Sequence, residues 1–295
     1  MVKPLVSVVM LCWNRVEDVS ESLTRLNEQT YAPLEIIVVD NASTDGTAER
    51  VAAEFPSVVL VRMESNIGIA AYNVGFRMAK GKYIVTLDDD SFPARLAFSR
   101  MVEKFEQNDR LGIVAFDVRN YSAYDHVAQE SNDTASAQSA RYLMSFNGAG
   151  AGIRSDLFEQ VGYYPEEHFL YQNELDVALK VLDAGFEIQF FPDVVAYHKY
   201  SLTNRSSERA PYFYTRNAFW IIWKYYPPYS AFLNTVRLGY KCCYYSLEQH
   251  TTVYLRAMLA AFVNARKLRG RRRPIRKEIA RNIRVPLDLN FTFYR

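Results

Sequence analysis

The sequence predicts a mixed α/β fold: a mostly parallel central sheet with helices on both faces, followed by a helical C-terminal extension. Short, almost continuously apolar runs alternate with segments of helical periodicity through the first half of the chain, as in parallel strands buried on both faces. After residue 211 this alternation gives way to a helical, aromatic-rich pattern. The 295 residues, 49% hydrophobic and 23% charged, suffice to bury such a sheet.

The first strand is predicted over residues 5–11, because LVSVVML is continuously apolar. Val16, Val19, Leu23 and Leu26 then follow at helical spacing. The same criteria predict strands over residues 34–39, 58–62 and 82–87 and helices over 48–55 and 69–80. Polar clusters follow several of these strands, at the sheet edge where α/β folds bind their ligands.

The second half is less regular. A helix is predicted over residues 91–110, a strand over 112–118 and a long polar loop over 119–141. The run Gly148–Gly152 comes next, then helices over 155–161 and 173–184, and strands over 186–191 and 194–198 on either side of Pro192. The glycine run fits two structures equally, a close-packed turn or a loop whose backbone amides approach an acceptor.

Composition excludes several classes of protein. Cys12, Cys242 and Cys243 are too few for a disulfide scaffold or a CxxC…CxxC zinc site. We interpret them as reduced thiols of an intracellular protein, which predicts a cytoplasmic location. No apolar run reaches the roughly 18 residues of a membrane-spanning helix.

Asp88, Asp89 and Asp90 follow the fourth predicted strand directly. Three adjacent carboxylates in a partly desolvated cleft repel one another, and a divalent cation would relieve that repulsion. Asp88 and Asp90 are two residues apart, so both can face one side of an extended segment. Magnesium or manganese would fit, because both prefer oxygen ligands and accompany nucleotide phosphates. The alternative is a solvated turn that caps the next helix.

An ordered series of segments resembles the family 2 glycosyltransferases, which have the GT-A nucleotide-sugar fold. It runs from VSVVMLCWNR through EIIVVDNASTDGT, ESNIGIAAYNVGFRMAKGKYIVTLDDD, NGAGAGIRSDLFEQVGYY and NELDVALKVLDAGFEIQFFPDVVAYH to FYTRNAFWIIWKYY, about residues 5–226. Each segment alone is weak evidence for the family, but six segments in the expected order predict it. Within this family, the sequence resembles bacterial-type cell-surface polysaccharide enzymes that are rhamnosyltransferase-like.

The resemblance implies a nucleotide-sugar site at the ends of the first strands. The residues implied to contact the nucleotide base are Cys12, Trp13, Asn14, Arg15 and Asp40. Those implied to line the nucleoside and diphosphate are Asn66, Gly68, Asn73, Asp88 and Asp89. Asp40 could instead cap the turn in DNASTDG, and Gly68 could only relax a helix start.

The resemblance also implies a metal site and a catalytic base. Asp88 and Asp90 match the DxD pair that holds Mn²⁺ or Mg²⁺, and His198 matches a late histidine that often completes the metal site or touches the diphosphate. Glu174 aligns with the base that deprotonates the acceptor in an inverting transfer, with Asp176 as the second candidate. Both acids have an alternative explanation, because the helix dipole alone favours acidic residues at a helix N-terminus. His198 has one as well, since a lone histidine is often structural.

The sequence departs from the family pattern at two places. Cys12-Trp13 stands where many relatives have Thr-Tyr, which affects the base contacts. Asn173-Glu174-Leu175-Asp176 replaces Glu-Asp-x-Asp, so the base would be one methylene longer.

The predicted domains are a transferase domain over residues 1–211, with a nucleotide-sugar half to about 118 and an acceptor half from 119, and an extension over 212–295. The extension is rich in Trp and Tyr, and residues 264–284 hold ten Lys or Arg and one Glu. Aromatic and basic residues together favour the surface of an anionic membrane, so peripheral attachment to the inner face of the cell membrane is expected. A solvated helical cap is the alternative, and no nucleic-acid-binding motif is present.

The expected activity is metal-dependent, inverting transfer of a sugar from a nucleoside diphosphate donor to a hydroxyl of a saccharide or lipid-linked acceptor, in surface polysaccharide or glycolipid assembly. A sugar-phosphate nucleotidylyltransferase would need a Gly-rich loop after the first strand, whereas this chain has CWNRVEDVS there. A non-catalytic nucleotide-sugar-binding module would be expected to lack the carboxylates, which are present. The sequence leaves the oligomeric state open.

Overall fold

The computed structural model describes residues 3–121, 139–200 and 208–282. Its strands are β1 (Val6–Cys12), β2 (Leu34–Asp40), β3 (Val59–Arg62), β4 (Tyr83–Asp88), β5 (Ser91–Pro93), β6 (Leu111–Asn120), β7 (Arg141–Tyr142), β8 (Ala151–Arg154) and β9 (Glu187–His198). Its α-helices are α1 (Val16–Asn27), α2 (Thr47–Glu54), α3 (Tyr72–Met78), α4 (Ala97–Gln107), α5 (Ser155–Val161), α6 (Asn173–Asp183), α7 (Arg209–Tyr225), α8 (Pro228–Glu248), α9 (Val253–Val263) and α10 (Lys277–Asn282).

The strands form one sheet in the order β3-β2-β1-β4-β8-β6-β9-β5, with β7 paired to β9. Strands β1 to β4 are parallel to their neighbours within that group, and β6 is parallel to β9. Strand β8 runs antiparallel between β4 and β6. Separate apolar clusters cover the two faces of the sheet. The predicted mixed α/β fold with a mostly parallel sheet is therefore confirmed.

Strand β1 shows why the prediction succeeds here. Val8 and Met10 point into one apolar cluster and Val9 into the other, so every position of the strand meets a covered face. A strand buried on both sides is almost entirely apolar, and the sequence of β1 shows this pattern with Ser7 as its one polar residue.

Two predicted elements differ in the structure. The segment after Asp90 does not start as a helix: Ser91–Pro93 forms the short strand β5, which pairs with the end of β9. The two strands predicted on either side of Pro192 form a single strand, β9, whose register shifts opposite Phe116 and Asp117. Proline lacks an N–H, so the ladder breaks at that point and resumes at Val195.

A third difference concerns the helix predicted over residues 69–80. It begins as a 3₁₀ turn, Gly68–Ala71, before α3. Gly68 has φ +68°, and a Cβ there would collide with the carbonyl oxygen of Phe169. This close backbone approach brings the segment against the loop that precedes α6, where Ile69 N donates to Phe169 O at 2.8 Å.

Helices α7, α8 and α9 pack around a third apolar cluster, which includes Leu175 and Leu179 of α6. Trp220 lies at its centre and donates its indole N–H to Ala261 O at 3.1 Å. Because α7 begins at Arg209, the boundary predicted after residue 211 falls within its first turn. Most of the polar loop predicted over 119–141, and Ile283 onward, lie outside the described residues. Within the residues described, no helix is both long and apolar enough to cross a bilayer.

Candidate active site

A cleft of about 320 Å³ opens at the carboxyl ends of β1 and β4. The predicted site residues that line it are Cys12, Trp13, Arg15, Asn66, Gly68, Asp88, Asp89, Asp90, Glu174 and His198. These residues span 187 positions of the sequence, from 12 to 198, and come from both the early strands and the late β9 strand. The structure therefore brings most of the predicted site together.

Asp88, Asp90 and His198 form a compact group of side chains of the types that ligate metals. His198 Nε2 lies 2.9 Å from Asp90 Oδ1 and 3.7 Å from Asp88 Oδ2. One donor atom from each residue lies within 4.8 Å of the others. Asp90 and His198 are buried, and Asp88 is partly exposed toward the cleft. Two carboxylates and an imidazole in this arrangement suit a hard or borderline divalent cation with open positions for a ligand.

Strand β5 explains why Asp90 meets a histidine 108 positions later. Ser91 pairs with His198 in the β5–β9 ladder, and Lys199 N donates to Asp90 O at 3.0 Å. The three-aspartate turn is thus held against the end of β9 by backbone hydrogen bonds. The group of Asp88, Asp90 and His198 is therefore fixed by the sheet rather than by a free loop.

Negative charge in this turn exceeds the positive charge beside it. Arg15 Nη1 lies 3.2 Å from Asp90 Oδ2, 3.6 Å from Asp89 and 3.5 Å from Asp18. Even so, burial and the adjacent Asp90 and Asp88 carboxylates raise the pKa of Asp89 to about 8, against the effect of Arg15. A divalent cation would relieve this excess, so the residues present fit the group that the family resemblance implies.

Glu174 lies in the first turn of α6 with its carboxylate in the cleft. Burial raises its pKa to about 7, and the charge of Asp88 adds to the effect. A carboxylate with a pKa near neutrality suits a general base, because it is partly ionised and also accepts a proton readily. Gly148 makes room for it: a Cβ at that position would lie 2.5 Å from Glu174 Oε1.

We expect Gly148→Ala to displace the Glu174 carboxylate and lower the turnover rate by about tenfold to a hundredfold, as small misplacements of reacting groups do. Steady-state kinetics with saturating substrates would measure the effect. Gly239→Ala is the matched control, because the nearest atom to its new Cβ would be 3.8 Å away. Equal rates for wild type and Gly148→Ala would contradict this role for the glycine.

Asp176, the second candidate for the base, lies outside the cleft. Its buried carboxylate pairs with Lys180 at 3.1 Å and with Lys224 Nζ of α7. Burial alone would raise the pKa of Asp176, but the two lysines hold it well below its usual range. Lys224 also bonds Glu167 Oε1 at 2.8 Å. The geometry thus favours Glu174 as the base and makes Asp176 an anchor between α6 and α7.

Lys224→Met should destabilise the fold by about 3 kcal/mol, because it removes the cation shared by the buried Asp176 and Glu167 and leaves them only Lys180 and Arg271 as partners. Urea unfolding would give the difference in the free energy of unfolding. The same change at the half-exposed Lys82, which pairs with Glu106 at 2.7 Å, is the control and should cost about 1 kcal/mol or less. If both variants cost the same, the buried cluster does not hold α6 to α7.

Three further predicted residues do not line the cleft. Asn14 joins two loops, since its N–H donates to Ser43 Oγ and its Oδ1 accepts from Thr44 N. Asp40 is buried and accepts from Ser43 N at 3.2 Å, as expected of a turn cap. Asn73 bonds both backbone groups of Tyr164 at 3.0 Å. These three residues therefore support the cleft by bonding to neighbouring segments and do not line it themselves.

Several residues that sequence reasoning missed do line the cleft, namely Asn41, Tyr72, Tyr171, Tyr200 and Arg209. Tyr171 and the following Gln172 both have φ +64°, which is unusual for non-glycine residues. Asn217 of α7 holds this turn by donating to the carbonyls of Leu170 and Tyr171 at 2.7 and 2.9 Å. Helix α7 therefore shapes the cleft, both through this contact and through Arg209.

The chain is similar to known glycosyltransferases in sequence and in structure. It is 27% identical over 206 residues to "Glycosyltransferase AglE" of Haloferax volcanii, which covers 66% of this chain and 67% of that protein. The matches to the first few curated relatives span between 35% and 67% of their own lengths.

Among solved structures, a mannosyltransferase from Pyrobaculum calidifontis in complex with GDP-Man and Mn²⁺ is 25% identical, with a TM-score of 0.57 over 91% of this chain and 75% of that one. TarS of S. aureus in complex with UDP-GlcNAc is 17% identical, with a TM-score of 0.56 over 74% of this chain and 66% of that one, which shows the shared GT-A fold.

The family described as "Glycosyl transferase family 2" matches residues 7–162, which is just over half of the chain and includes β1 through β8 except Val6. This range contains the three-aspartate turn and the glycine that accommodates Glu174. Sequence, fold and cleft agree, and the chain belongs to glycosyltransferase family 2.

Proposed function

We propose that this glycosyltransferase moves a sugar from a nucleoside diphosphate donor to a hydroxyl of a saccharide or lipid-linked acceptor, with inversion at the anomeric carbon and with a divalent cation as cofactor. The observation that carries the proposal is the shared cleft. Asp88, Asp90 and His198 form a cation site in it, and Glu174, a base of raised pKa, lines the same cavity.

Asp88, Asp90 and His198 would hold Mn²⁺ or Mg²⁺, which neutralises charge on the donor diphosphate and so favours its departure. Arg15 fixes Asp90 from the side, and Arg209 brings a second guanidinium to the cleft. Trp13 lies in the same wall, with the Arg209 guanidinium 5.9 Å from its ring centroid. We assign these side chains to the binding of the nucleotide part of the donor.

Glu174 takes the proton from the acceptor hydroxyl as the oxygen attacks the anomeric carbon. The bond from that carbon to the diphosphate oxygen breaks in the same displacement, so the configuration inverts and the nucleoside diphosphate leaves. No covalent intermediate is required, and no cysteine is placed to form one. Cys12 is the only cysteine in the cleft, and burial together with Asp40 raises the pKa of its thiol well above the usual value.

Support for a nucleotide-sugar donor comes from two structural relatives, one bound to GDP-Man and Mn²⁺ and the other to UDP-GlcNAc. A curated relative is the poly-β-1,6-N-acetyl-D-glucosamine synthase of Staphylococcus epidermidis, 26% identical over 200 residues, which supports a saccharide acceptor. A role in surface polysaccharide or glycolipid assembly is consistent with these relatives.

A thermal-shift screen tests the proposal. The protein is heated with UDP-, dTDP- or GDP-sugars, each with MnCl₂ or with EDTA. One class of donor should raise the unfolding temperature with Mn²⁺, and EDTA should abolish the increase, because a ligand stabilises only the state that binds it. If no nucleotide sugar raises the unfolding temperature under either condition, the proposed donor class is wrong.

A further inference from the structure

In the structure, part of the aromatic and basic extension that the sequence suggests for membrane binding is instead buried or paired within the protein. Several aromatic side chains that the sequence offered for the membrane are core residues, among them Phe219, Trp220 and Tyr225. Two arginines of the basic run also bond to other groups of the protein. Arg271 pairs with Glu167, and Arg272 donates to the carbonyl oxygens of Trp223 and Tyr226. These two arginines attach the chain after α9 to the rest of the fold, so they are not free for headgroups.

Helix α8 carries a different set of apolar residues on its outer face. These residues are spaced by three or four positions along five turns of the helix, and all of them are exposed to solvent. They are Tyr229 (74% exposed), Phe232 (65%), Val236 (55%), Tyr240 (71%), Tyr244 (49%) and Leu247 (77%), called here the α8 stripe.

The opposite face of α8 accounts for the packing of the helix. Ala231, Leu238, Cys242 and Ser246 are buried there. In helical projection at 100° per residue, Ala231, Leu238 and Cys242 lie about 140–180° from Tyr229 and Leu247. The α8 stripe is thus not needed to hold the helix in place, and within the described residues nothing covers it.

We propose that the α8 stripe lies in the headgroup region of an anionic membrane, with α8 parallel to the membrane plane. At 1.5 Å per residue, the 21 residues of α8 form a convex ridge about 30 Å long, the shape of an in-plane helix rather than of a groove for a peptide. Three of the six stripe residues are tyrosines, whose rings favour the boundary between lipid and water.

The net charge of the C-terminal helices indicates which kind of surface the α8 stripe would contact. Residues 208–282 contain 15 lysines and arginines against three acidic residues. Arg237 is exposed beside the stripe, and Arg266, Lys267 and Arg269 are exposed in the turn after α9. Such an excess attracts anionic lipids. It also disfavours a second copy of the chain as the occupant, because two cationic surfaces would then face each other.

Vesicle flotation with the full chain tests the proposal, using phosphatidylcholine vesicles with and without phosphatidylglycerol. The wild type should float with the anionic vesicles and do so less at high salt. Replacing Phe232, Tyr240 and Leu247 together with Ser should lower the floated fraction at least about tenfold, because the apolar area that anchors the helix is lost. The matched control replaces the exposed Val59, Met78 and Leu96 with Ser and should float like the wild type.

A charge-reversal variant tests the headgroup contribution. Arg266, Lys267 and Arg269 are changed to Glu, which leaves the structural Arg271 and Arg272 in place. Flotation with anionic vesicles should fall, while thermal unfolding stays as in the wild type.

Three results would overturn the proposal. One is flotation of the stripe variant equal to that of the wild type, and another is failure of the wild type to float with either vesicle. The third is a wild-type dimer in sedimentation without vesicles that the stripe variant converts to a monomer, which would assign the α8 stripe to self-association. The proposal stands or falls independently of the donor and of Glu174.

Discussion

Glu174→Gln should lower the rate of sugar transfer by about two to four orders of magnitude, the usual contribution of a general base. Glutamine keeps the size of the side chain and fits beside Gly148, but it cannot take a proton from the acceptor. Because Glu174 belongs to no part of the cation site, the affinity for the nucleotide sugar should stay within a few-fold of the wild type. Single-turnover kinetics and calorimetric titration of the donor would measure the two effects separately.

The pH profile provides a second readout. With the pKa of Glu174 raised to about 7, the carboxyl is protonated below neutrality, so the wild-type rate should fall as the pH drops through about 7. The residual rate of Glu174→Gln should lack this acidic limb. Glu159→Gln, at an exposed position of α5, is the control and should keep both rate and profile. A near-native rate for Glu174→Gln would remove Glu174 from the mechanism.

Asp90→Asn should weaken Mn²⁺-dependent donor binding by on the order of a hundredfold, at the upper end of what losing a group in a metal site costs. The substitution removes a charged oxygen that faces His198 at 2.9 Å and Arg15 at 3.2 Å. The loss should appear with Mn²⁺ and be much smaller in EDTA, where the wild type itself binds weakly. Calorimetry under both conditions measures the difference.

Asp156→Asn, at an exposed position in the first turn of α5, is the control for Asp90→Asn and should bind like the wild type. An equal loss with Mn²⁺ and with EDTA would mean that Asp90 supports the fold of the turn rather than a cation. A thermal unfolding curve of each variant separates that outcome from simple misfolding.

Predictions from the sequence were most successful where local pattern and tertiary environment agree. β1, β2 and β4 are buried on both faces, so their apolar runs indicate both their type and their position in the sheet. The position of Asp88 and Asp90 at this edge of the sheet could be predicted because they follow such a strand directly. The series of family segments then placed His198 beside them.

The remaining features depend on contacts that a local pattern does not show. Asp176 and Glu174 are both acids in the first turn of α6, and only the position of Lys224, 48 residues later, separates their roles. Strand β5 escaped prediction because a three-residue strand that ends in a proline carries too little pattern, and its pairing with β9 defines it. The aromatic residues of α7 and α8 look alike in sequence, yet one set is buried and the other exposed.

A crystal structure of the protein grown with MnCl₂ and a nucleoside diphosphate, with anomalous data collected at the manganese edge, tests the central claim most directly. The account predicts one strong anomalous peak bound by Asp90 and His198, with the diphosphate on its open side and Glu174 facing the position of the sugar. A manganese peak and nucleotide bound elsewhere, with the cleft beside Glu174 empty, would contradict it.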